Sequence, residues 1–555
     1  MPATVLRRLR YAARHPATWL VLIALIPIGV AYVRAVSHGW APEGDDAVIA
    51  DRMRAVFSGR PPVMGQRSTS ILTEGANVPT HHLGPLEYYF AAPIAGLLGF
   101  SGAGILLSVA IGNAIAAGGS IIVAFRMRAL RTAIPTTLAV LLLEWALGPE
   151  QLVRPLNVYV ATLPMLLVLV CGWALVDGDL SVLWLYAVAA SFVAQSNLAF
   201  VPFVVGLTVA LAALALWRRL RHVRMSRHDV DWLRRRWVVA AVVTFVVWLP
   251  SLLELVIYQP NNLQQLITYR SRSSGTGASW PHAVAYTLDR LSPVGFGRFH
   301  NTYRPDEHGI AVVAGAVGAM LLALGAFAGS RRPRTAGSFA CGLALIAIPI
   351  EAWGLTYMAG FTVGYWLLPT LVIAVFGVAA LAVRVTELVP RDRLVAQAAR
   401  VPAVWRTAVG VVVAVALAVV AASTAAAPAW AGEEAARHAS SVVTSYLGKH
   451  AQPSAPVAVQ GSGIRSLSID SAIGFQLGRA GYDAYYMLGW PEPEDTDPWH
   501  VDHAPATHIS VLIAERAPGG KWSRARPSGS ATLDLGRAGS TELRAWVEIP
   551  SVMAR

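Results

Sequence analysis

The feature that most limits the possible folds of this chain is a series of about eleven apolar runs, most of at least about 18 residues. Runs of this length cross about 30 Å of hydrocarbon when they form α-helices. The sequence therefore predicts a polytopic α-helical membrane protein of about eleven transmembrane helices. The predicted spans are Ala17–Val33, Ile105–Phe125, Thr132–Gly148, Val158–Val176, Leu180–Gln195, Phe200–Trp217, Trp237–Tyr258, Ile310–Phe327, Ser338–Ala352, Phe361–Val383 and Ala408–Ala425.

The distribution of basic residues predicts the orientation of these helices. The formal net charge is +13, from 45 Lys and Arg against 32 Asp and Glu. Much of this excess lies in Arg126–Arg131 and Arg218–Arg236. Cytoplasmic loops are enriched in Lys and Arg, so both segments and the N-terminus are predicted to be cytoplasmic. We therefore expect a multi-pass protein of the plasma membrane, and the positive charge does not indicate a nucleic-acid partner.

The composition changes near the C-terminus. Residues 1–426 form the predicted membrane domain, with outward loops at residues 35–100 and 259–308. Residues 427–555 are too polar to span and predict a small extracytoplasmic α/β domain. Its predicted helices are Glu433–Leu447 and Ser471–Gly481. Its predicted strands are Pro456–Gln460, Asp483–Leu488, His508–Glu515, Ala531–Gly536 and Arg544–Pro550.

Two motifs stand in the outward loop that follows the first span. Glu43, Asp45 and Asp46 place three carboxylates beside the membrane, where ionisable groups are costly and mark functional sites. Further along, the sequence His-His-Leu-Gly-Pro opens Pro85–Gly99, an apolar segment too short to span comfortably. This segment is predicted to be a juxtamembrane helix on the outer surface.

These features resemble the GT-C superfamily of glycosyltransferases that use polyprenyl-phosphate sugars. The resemblance consists of Gly44–Asp46 after the first span, of His81–Pro85 before a juxtamembrane helix, and of alternating spans followed by an extracytoplasmic domain. The motif matches cover only about Ala41–Gly99. Actinobacterial cell-envelope arabinosyl- and mannosyltransferases are the most similar in organisation. Protein O-mannosyltransferases are less similar, because Asp45-Asp46 differs from their Asp-Glu pair, and oligosaccharyltransferases are less similar, because their Trp-Trp-Asp element does not appear here.

The resemblance implies that Asp45 and Asp46 are the catalytic residues. Transfer from a polyprenyl phosphate requires the acceptor hydroxyl to lose its proton, and a positioned aspartate can take it. Such enzymes typically invert in a single displacement, which needs one base. The sequence does not decide which aspartate is the base. The alternative is that one of them only caps the following helix.

Further residues are candidates for substrate binding. His81 and His82 could contact the sugar or the phosphate, assist a metal, or serve as the polar end of an interfacial helix. Glu87 could bind substrate or complement the dipole of its own helix. Arg154, Gln195 and Asn197 are predicted to cluster at the outer membrane edge. There they could line an acceptor cavity or form interhelical hydrogen bonds.

The leaving group is a lipid phosphate and needs a cationic partner on the outer face. Arg270 and Arg272 lie in an outward loop, against the usual charge trend, which favours anion binding. Arg67 in the first outward loop is the alternative. The same outward loop also contains the basic residues Arg290, Arg298, His300 and Arg304.

The expected partners are membrane lipid, a polyprenyl-phosphate sugar donor and a glycan or glycolipid acceptor. Cys171 and Cys341 both lie in apolar runs, which leaves no disulfide framework or cysteine-based metal site. A divalent cation such as Mg²⁺, Mn²⁺ or Ca²⁺ is a possible cofactor, and the acidic loop Pro491–His503 could bind one or simply be solvated. A transporter or flippase of lipid-linked saccharides is the main alternative function. A polymer ligase or acyltransferase of the envelope is a further one.

Overall fold

The computed structural model describes residues 15–68, 78–221, 227–273, 277–292, 309–328, 335–358, 364–388, 431–486 and 498–555. Within these ranges the first half of the chain is almost entirely helical. Its helices are α1 Pro16–Ser37, α2 Asp45–Ala55, α3 Leu86–Leu97, α4 Gly102–Arg128, α5 Leu130–Leu147, α6 Asn157–Asp177, α7 Leu180–Ser196 and α8 Val201–Arg221. The following helices are α9 Arg227–Ile257, α10 Asn262–Arg272, α11 Trp280–Leu291, α12 Gly309–Phe327, α13 Ala336–Leu355 and α14 Gly364–Leu388.

Ten of the eleven predicted spans coincide with helices in the described part of the chain. Nine of these helices are long and apolar enough to cross a membrane, and α7 is a shorter apolar helix. The eleventh predicted span, Ala408–Ala425, lies outside the described residues. The protein is thus a multi-pass membrane protein, as its hydropathy predicts.

A close-packed apolar core holds the membrane helices together. Helix α6 lies at its centre, with Trp173 fully buried and its indole edge-on to Phe376 of α14. The indole Nε1 donates to the carbonyl of Ala336 at 2.8 Å, so the buried polar atom of this side chain is satisfied. The core therefore fixes α6 against α13 and α14.

Ion pairs fix one end of this bundle. Arg126 and Arg128, at the end of α4, bind Asp179 and Asp177 at 3.0 Å each. These aspartates lie at the end of α6 and in the turn to α7. The pairs place the predicted cytoplasmic Arg cluster and the end of α6 at the same end of the bundle, as the alternation of spans requires.

The C-terminal region is an α/β domain, and all of its predicted elements are present. Helix α15 Ala431–His450 is followed by β1 Pro456–Gly461, α16 Ile464–Arg479, β2 Asp483–Tyr486, β3 Ile509–Arg516, β4 Ala531–Ala538 and β5 Thr541–Glu548. The strand order is β2-β1-β3-β5-β4, with β1 parallel to β2 and β3 and the other pairs antiparallel. Helix α16 begins seven residues before the predicted start, because the buried Ile469 continues the apolar face that Ile473 and Leu477 form.

A second apolar core joins the membrane domain to the C-terminal domain. It combines Ile49 and Met53 of α2 and Ala92 of α3 with Ile473 of α16 and Val459 of β1, all fully buried. The two short helices that follow the first span therefore lie between the bundle and the sheet. The predicted domain boundary at residues 426–427 lies outside the described residues.

The second predicted outward loop contains two helices that the sequence pattern did not reveal. Both α10 and α11 are short, and α10 begins with a capping box between Asn261 and Gln264. Leu263 and Ile267 of α10 are exposed on its apolar side, which is typical of a helix that lies along a membrane surface. Arg298, His300 and Arg304 lie outside the described residues.

Candidate active site

Both candidate catalytic aspartates lie in the first turn of α2. The N-cap residue is Gly44, with φ +52° and no side-chain capping bond, so neither aspartate is the cap. Their carboxylates complement the partial positive charge of the helix N-terminus. Because successive helical residues point about 100° apart, the two side chains enter different surroundings.

Asp46 points into the protein and is only 2% exposed. Arg154 donates from Nε to Asp46 Oδ2 at 2.6 Å. Burial raises the pKa of Asp46, and Arg154 limits this rise. Burial also opposes the charge of Arg154, but the adjacent carboxylate of Asp46 prevails and raises the pKa of the guanidinium. Arg154 and Asp46 thus form a buried ion pair.

Asp45 is an exposed residue that borders a large cavity. Protein atoms around its carboxylate raise its pKa to about 6, and the negative charge of Asp46 adds to the rise. Arg154 and a hydrogen bond from Gln66 act in the opposite direction. Of the two aspartates, Asp45 is the one that a molecule in the cavity can reach.

The cavity has a volume of about 360 Å³ and lies at one end of the helical bundle. Its lining brings together side chains from the first outward loop, from the starts of α6 and α8 and from α10. Five predicted site residues are among them: Asp45, Arg67, His82, Asn197 and Arg270. Residues more than 200 positions apart in the chain thus meet at one cavity.

His82 is held in the wall of this cavity. Its Nδ1 accepts a hydrogen bond from the backbone of Leu198 at 3.1 Å, and its Nε2 lies 3.3 Å from Asn197 Nδ2. Burial lowers its pKa to about 3, and His81 contributes to the shift. His82 is therefore a neutral imidazole at physiological pH.

His81 is buried beside the cavity and does not line it. Asn262 at the start of α10 binds both backbone groups of His81, at 2.8 and 3.0 Å. The backbone of Asn262 in turn donates to Glu254 at 2.7 Å. This arrangement ties α10 to the His-His-Leu-Gly-Pro loop and so positions Arg270.

Arg270 and Arg272, two residues apart on α10, have different surroundings. Arg270 lines the cavity, and its guanidinium lies 4.6 Å from the centre of the Tyr357 ring. Arg272 is exposed and is not part of the lining. Arg67, the alternative phosphate partner, lines the cavity from the opposite loop. The cavity therefore holds two guanidinium groups.

Glu87 and Gln195 lie away from this cavity. Glu87 is buried in α3 beside a separate, mainly apolar cavity of about 130 Å³. Burial raises the pKa of Glu87 well above its ordinary value, and the charge of Asp46 adds to the effect. Gln195 donates to the carbonyl of Val247 at 3.0 Å, which is the interhelical bond foreseen as the alternative to substrate binding.

The structure adds cavity residues that sequence reasoning did not select. Gln66 stands beside Arg67 in a loop, where a glutamine ordinarily faces solvent. Asn157 at the start of α6 directly precedes an apolar run, where an asparagine is expected to form interhelical hydrogen bonds. Tyr365 and Trp366 also line the cavity, at the edge of an apolar run where aromatic residues are expected at membrane interfaces anyway.

The C-terminal domain holds the loop before Asp45. The backbone N–H of Gly44 donates to the carbonyl of Ser468 at 2.9 Å, and its carbonyl accepts from Ser471 Oγ at 3.2 Å. Ser468 Oγ donates to Glu43 at 3.3 Å. Burial raises the pKa of Glu43, while this hydrogen bond opposes the rise. Helix α16 thereby positions the start of α2.

Glu433 of α15 adds a further carboxylate near Asp46 and Arg154. Burial raises its pKa to about 7, while the charge of Arg154 lowers it. The described residues contain no group of three or more His, Cys, Asp or Glu side chains placed to hold a metal ion. The divalent cation therefore stays a prediction. The first part of the acidic loop Pro491–His503 lies outside the described residues.

Comparison with solved structures finds membrane proteins of similar fold. The crystal structure of ArnT from Cupriavidus metallidurans bound to undecaprenyl phosphate matches with a TM-score of 0.53 and 15% identity, over 96% of this chain and 98% of that one. The apo state of the same protein gives 0.41 and 12%, over 95% and 97%. The oligosaccharyltransferase of Archaeoglobus fulgidus gives 0.42 and 11%, over 84% and 63%.

No model of a protein family and no curated protein matches the chain. At 15% identity the ArnT match shows the fold alone, but it extends over nearly the whole length of both chains. The matched region therefore includes both the membrane helices and the C-terminal sheet of this chain. The protein therefore shares the fold of this ArnT structure, which agrees with the GT-C-like fold that the sequence predicts.

Proposed function

We propose that the protein is an inverting glycosyltransferase that moves a sugar from a polyprenyl-phosphate donor to a cell-envelope glycan or glycolipid on the outer face of the membrane. The observation that carries this proposal is the cavity that contains both Asp45 and Arg270. The Asp45 carboxylate can accept a proton, and the Arg270 guanidinium can bind a phosphate. The ArnT structure contains bound undecaprenyl phosphate, which is consistent with such a donor.

In the proposed reaction Asp45 is the base. The acceptor hydroxyl gives its proton to the Asp45 carboxylate while its oxygen forms a bond to the anomeric carbon. The bond between that carbon and the phosphate oxygen breaks, and the electron pair leaves with the polyprenyl phosphate. Asp45 is better suited than Asp46, because it borders the cavity whereas Arg154 already pairs with Asp46.

The developing charge on the leaving phosphate requires positive groups nearby. Arg270 and Arg67 line the cavity and would stabilise this charge. The neutral His82 can contribute only hydrogen bonds. The contact between Arg270 and the Tyr357 ring holds the guanidinium at the cavity wall, so less side-chain freedom is lost when a phosphate binds.

The first prediction tests this assignment with purified protein and radiolabelled polyprenyl-phosphate sugars. Asp45→Asn removes the base and should lower kcat by about 100- to 10,000-fold. Arg270→Ala removes a charged partner of the phosphate and should reduce kcat/KM by about 10- to 100-fold. The matched control is Arg272→Ala on the same helix, which should retain activity. Full transfer by Asp45→Asn would refute the proposed base.

The same assay addresses the remaining expectations. Asp46→Asn keeps Asp45 in place and should retain measurable transfer. Treatment with EDTA, followed by addition of Mg²⁺, Mn²⁺ or Ca²⁺, tests the predicted divalent cation. The anomeric configuration of the product distinguishes inversion from retention, because a single displacement inverts the anomeric centre.

A further inference from the structure

Three carboxamide side chains form one continuous chain of hydrogen bonds along the cavity wall. Asn197 Nδ2 donates to Asn157 Oδ1 at 3.3 Å, and Asn157 Nδ2 donates to Gln66 Oε1 at 3.1 Å. The Gln66 side chain in turn lies near the carboxylate of Asp45 and lowers its pKa. We call Gln66, Asn157 and Asn197 the carboxamide chain. It runs toward the proposed base.

The carboxamide chain comes from three separate parts of the fold and is buried. Gln66, Asn157 and Asn197 are only 5–6% exposed, yet all three border the cavity. Burial of polar amides is costly unless their hydrogen bonds are made. The backbone of Ala199 fixes the orientation of Asn197 by donating to its Oδ1 at 2.9 Å. The amide groups are thus held in fixed orientations before any ligand binds.

The amide groups in this wall can form more hydrogen bonds than they make with one another. A carboxamide nitrogen has two N–H donors and a carbonyl oxygen has two lone pairs. Asn157 uses one N–H for Gln66, and in the described part of the chain its second N–H has no recorded hydrogen bond. A sugar hydroxyl both donates and accepts, which matches amides that present both functions. Trp366, on the cavity lining, adds an apolar surface for a sugar ring.

The charges around the cavity constrain the ligand further. In the described lining, the groups charged at neutral pH are Asp45, Arg67 and Arg270. The carboxamide residues and the neighbouring His82 are uncharged, so a charged group on a sugar bound against them would lose its hydration without gaining a counter-charge there, which is costly.

We propose that the carboxamide chain is the sugar-recognition subsite and that the donor carries an uncharged sugar, with neither an amino nor a carboxyl group. This inference rests on the proposed function, because it assumes a polyprenyl-phosphate donor in the cavity. It adds the chemical class of the sugar and three recognition residues. Gln66 also lies next to Asp45 in the cavity lining, so the proposed sugar subsite adjoins the proposed base.

The second prediction uses three donors with the same polyprenyl phosphate: a neutral sugar, an amino sugar and a uronic acid. Equilibrium binding of each radiolabelled donor is measured alongside kcat/KM for transfer. The wild type should prefer the neutral donor by about 10- to 100-fold in both measurements. Equal use of the charged donors would overturn the inference.

A near-isosteric variant sharpens this test. Asn157→Asp places a negative charge in the subsite and should shift the preference toward the amino sugar by about 10-fold or more, while Asn157→Ala should weaken all donors without this shift. The control is Gln452→Glu, an exposed amide of the C-terminal domain, and thermal unfolding confirms that each variant is folded. An unchanged preference in Asn157→Asp would contradict the proposed subsite.

The two measurements separate the two proposals. If the neutral donor binds preferentially but no transfer occurs with any acceptor, the proposed function fails and the subsite stands. If transfer occurs without discrimination between sugars, the function stands and the subsite fails. If none of the donors binds, both proposals are wrong.

Discussion

Two adjacent aspartates acquire different chemistry from their position on one helical turn. Asp46 is directed toward Arg154 and is part of a buried ion pair, whereas Asp45 borders the cavity. Removal of Arg154 would leave Asp46 buried without its counter-charge, which typically costs about 3–5 kcal/mol. The guanidinium is therefore a stabilising partner of α2 as well as an electrostatic neighbour of Asp45.

The third prediction concerns pH and belongs to these residues. Asp45 must be ionised to accept a proton, and its pKa is raised to about 6. The kcat/KM of the wild type should therefore fall about tenfold per pH unit below about pH 6. Asp46→Asn removes a negative charge that raises the pKa of Asp45, so the acidic limb should move to lower pH. Steady-state kinetics measured from about pH 4.5 to about pH 8 would detect this shift.

The control for this shift is Glu548→Gln, which removes an exposed carboxylate of β5. It should leave the acidic limb where it is in the wild type. A limb that stays near pH 6 in Asp46→Asn would show that another group governs it. The test compares the pH at which kcat/KM begins to fall, so a lower overall rate in a variant does not affect it.

At the scale of elements, α16 holds the start of α2. Both backbone groups of Gly44 are bound by residues of α16, and φ of Gly44 is +52°. A side chain at this position is unfavourable in itself, and a Cβ would also lie 3.3 Å from Ser468 Oγ. The C-terminal domain is therefore part of what positions the catalytic turn.

The fourth prediction tests this coupling with Gly44→Ala. Strain at this position should cost about 1–3 kcal/mol of stability, measured as a lower unfolding temperature. Because Asp45 shifts while Arg270 does not, kcat should fall and KM for the donor should change little. The matched control is Gly59→Ala, whose Cβ would meet no atom within 4 Å. Equal kinetics for both variants would contradict a positioning role for Gly44.

At the scale of the whole molecule, the orientation of the protein in the membrane decides which substrates reach the cavity. The ion pairs of Arg126 and Arg128 mark one end of the bundle. Asp45 and the C-terminal domain lie at the other end, because the lengths of α1 and α4 separate the two ends. The positive-inside rule then predicts that the cavity opens outward.

The fifth prediction tests this orientation by cysteine labelling in intact cells. In a background without Cys171 and Cys341, Ser528→Cys in the C-terminal domain should react with a membrane-impermeant maleimide. Arg235→Cys in α9 should react only after the cells are permeabilised. Both positions are exposed. The opposite pattern would reverse the topology and place the proposed transfer on the cytoplasmic side.

The sequence alone determined the number and position of most helices, because the length of an apolar run is a local property that the bilayer thickness sets. It also located the acidic pair and the elements of the C-terminal domain, whose periodicities are local as well. Only the tertiary structure decided that Asp45 and not Asp46 borders the cavity, since helical rotation separates neighbours that sequence reasoning treats alike. It alone also revealed the carboxamide chain, because Gln66, Asn157 and Asn197 meet only when three distant segments pack together.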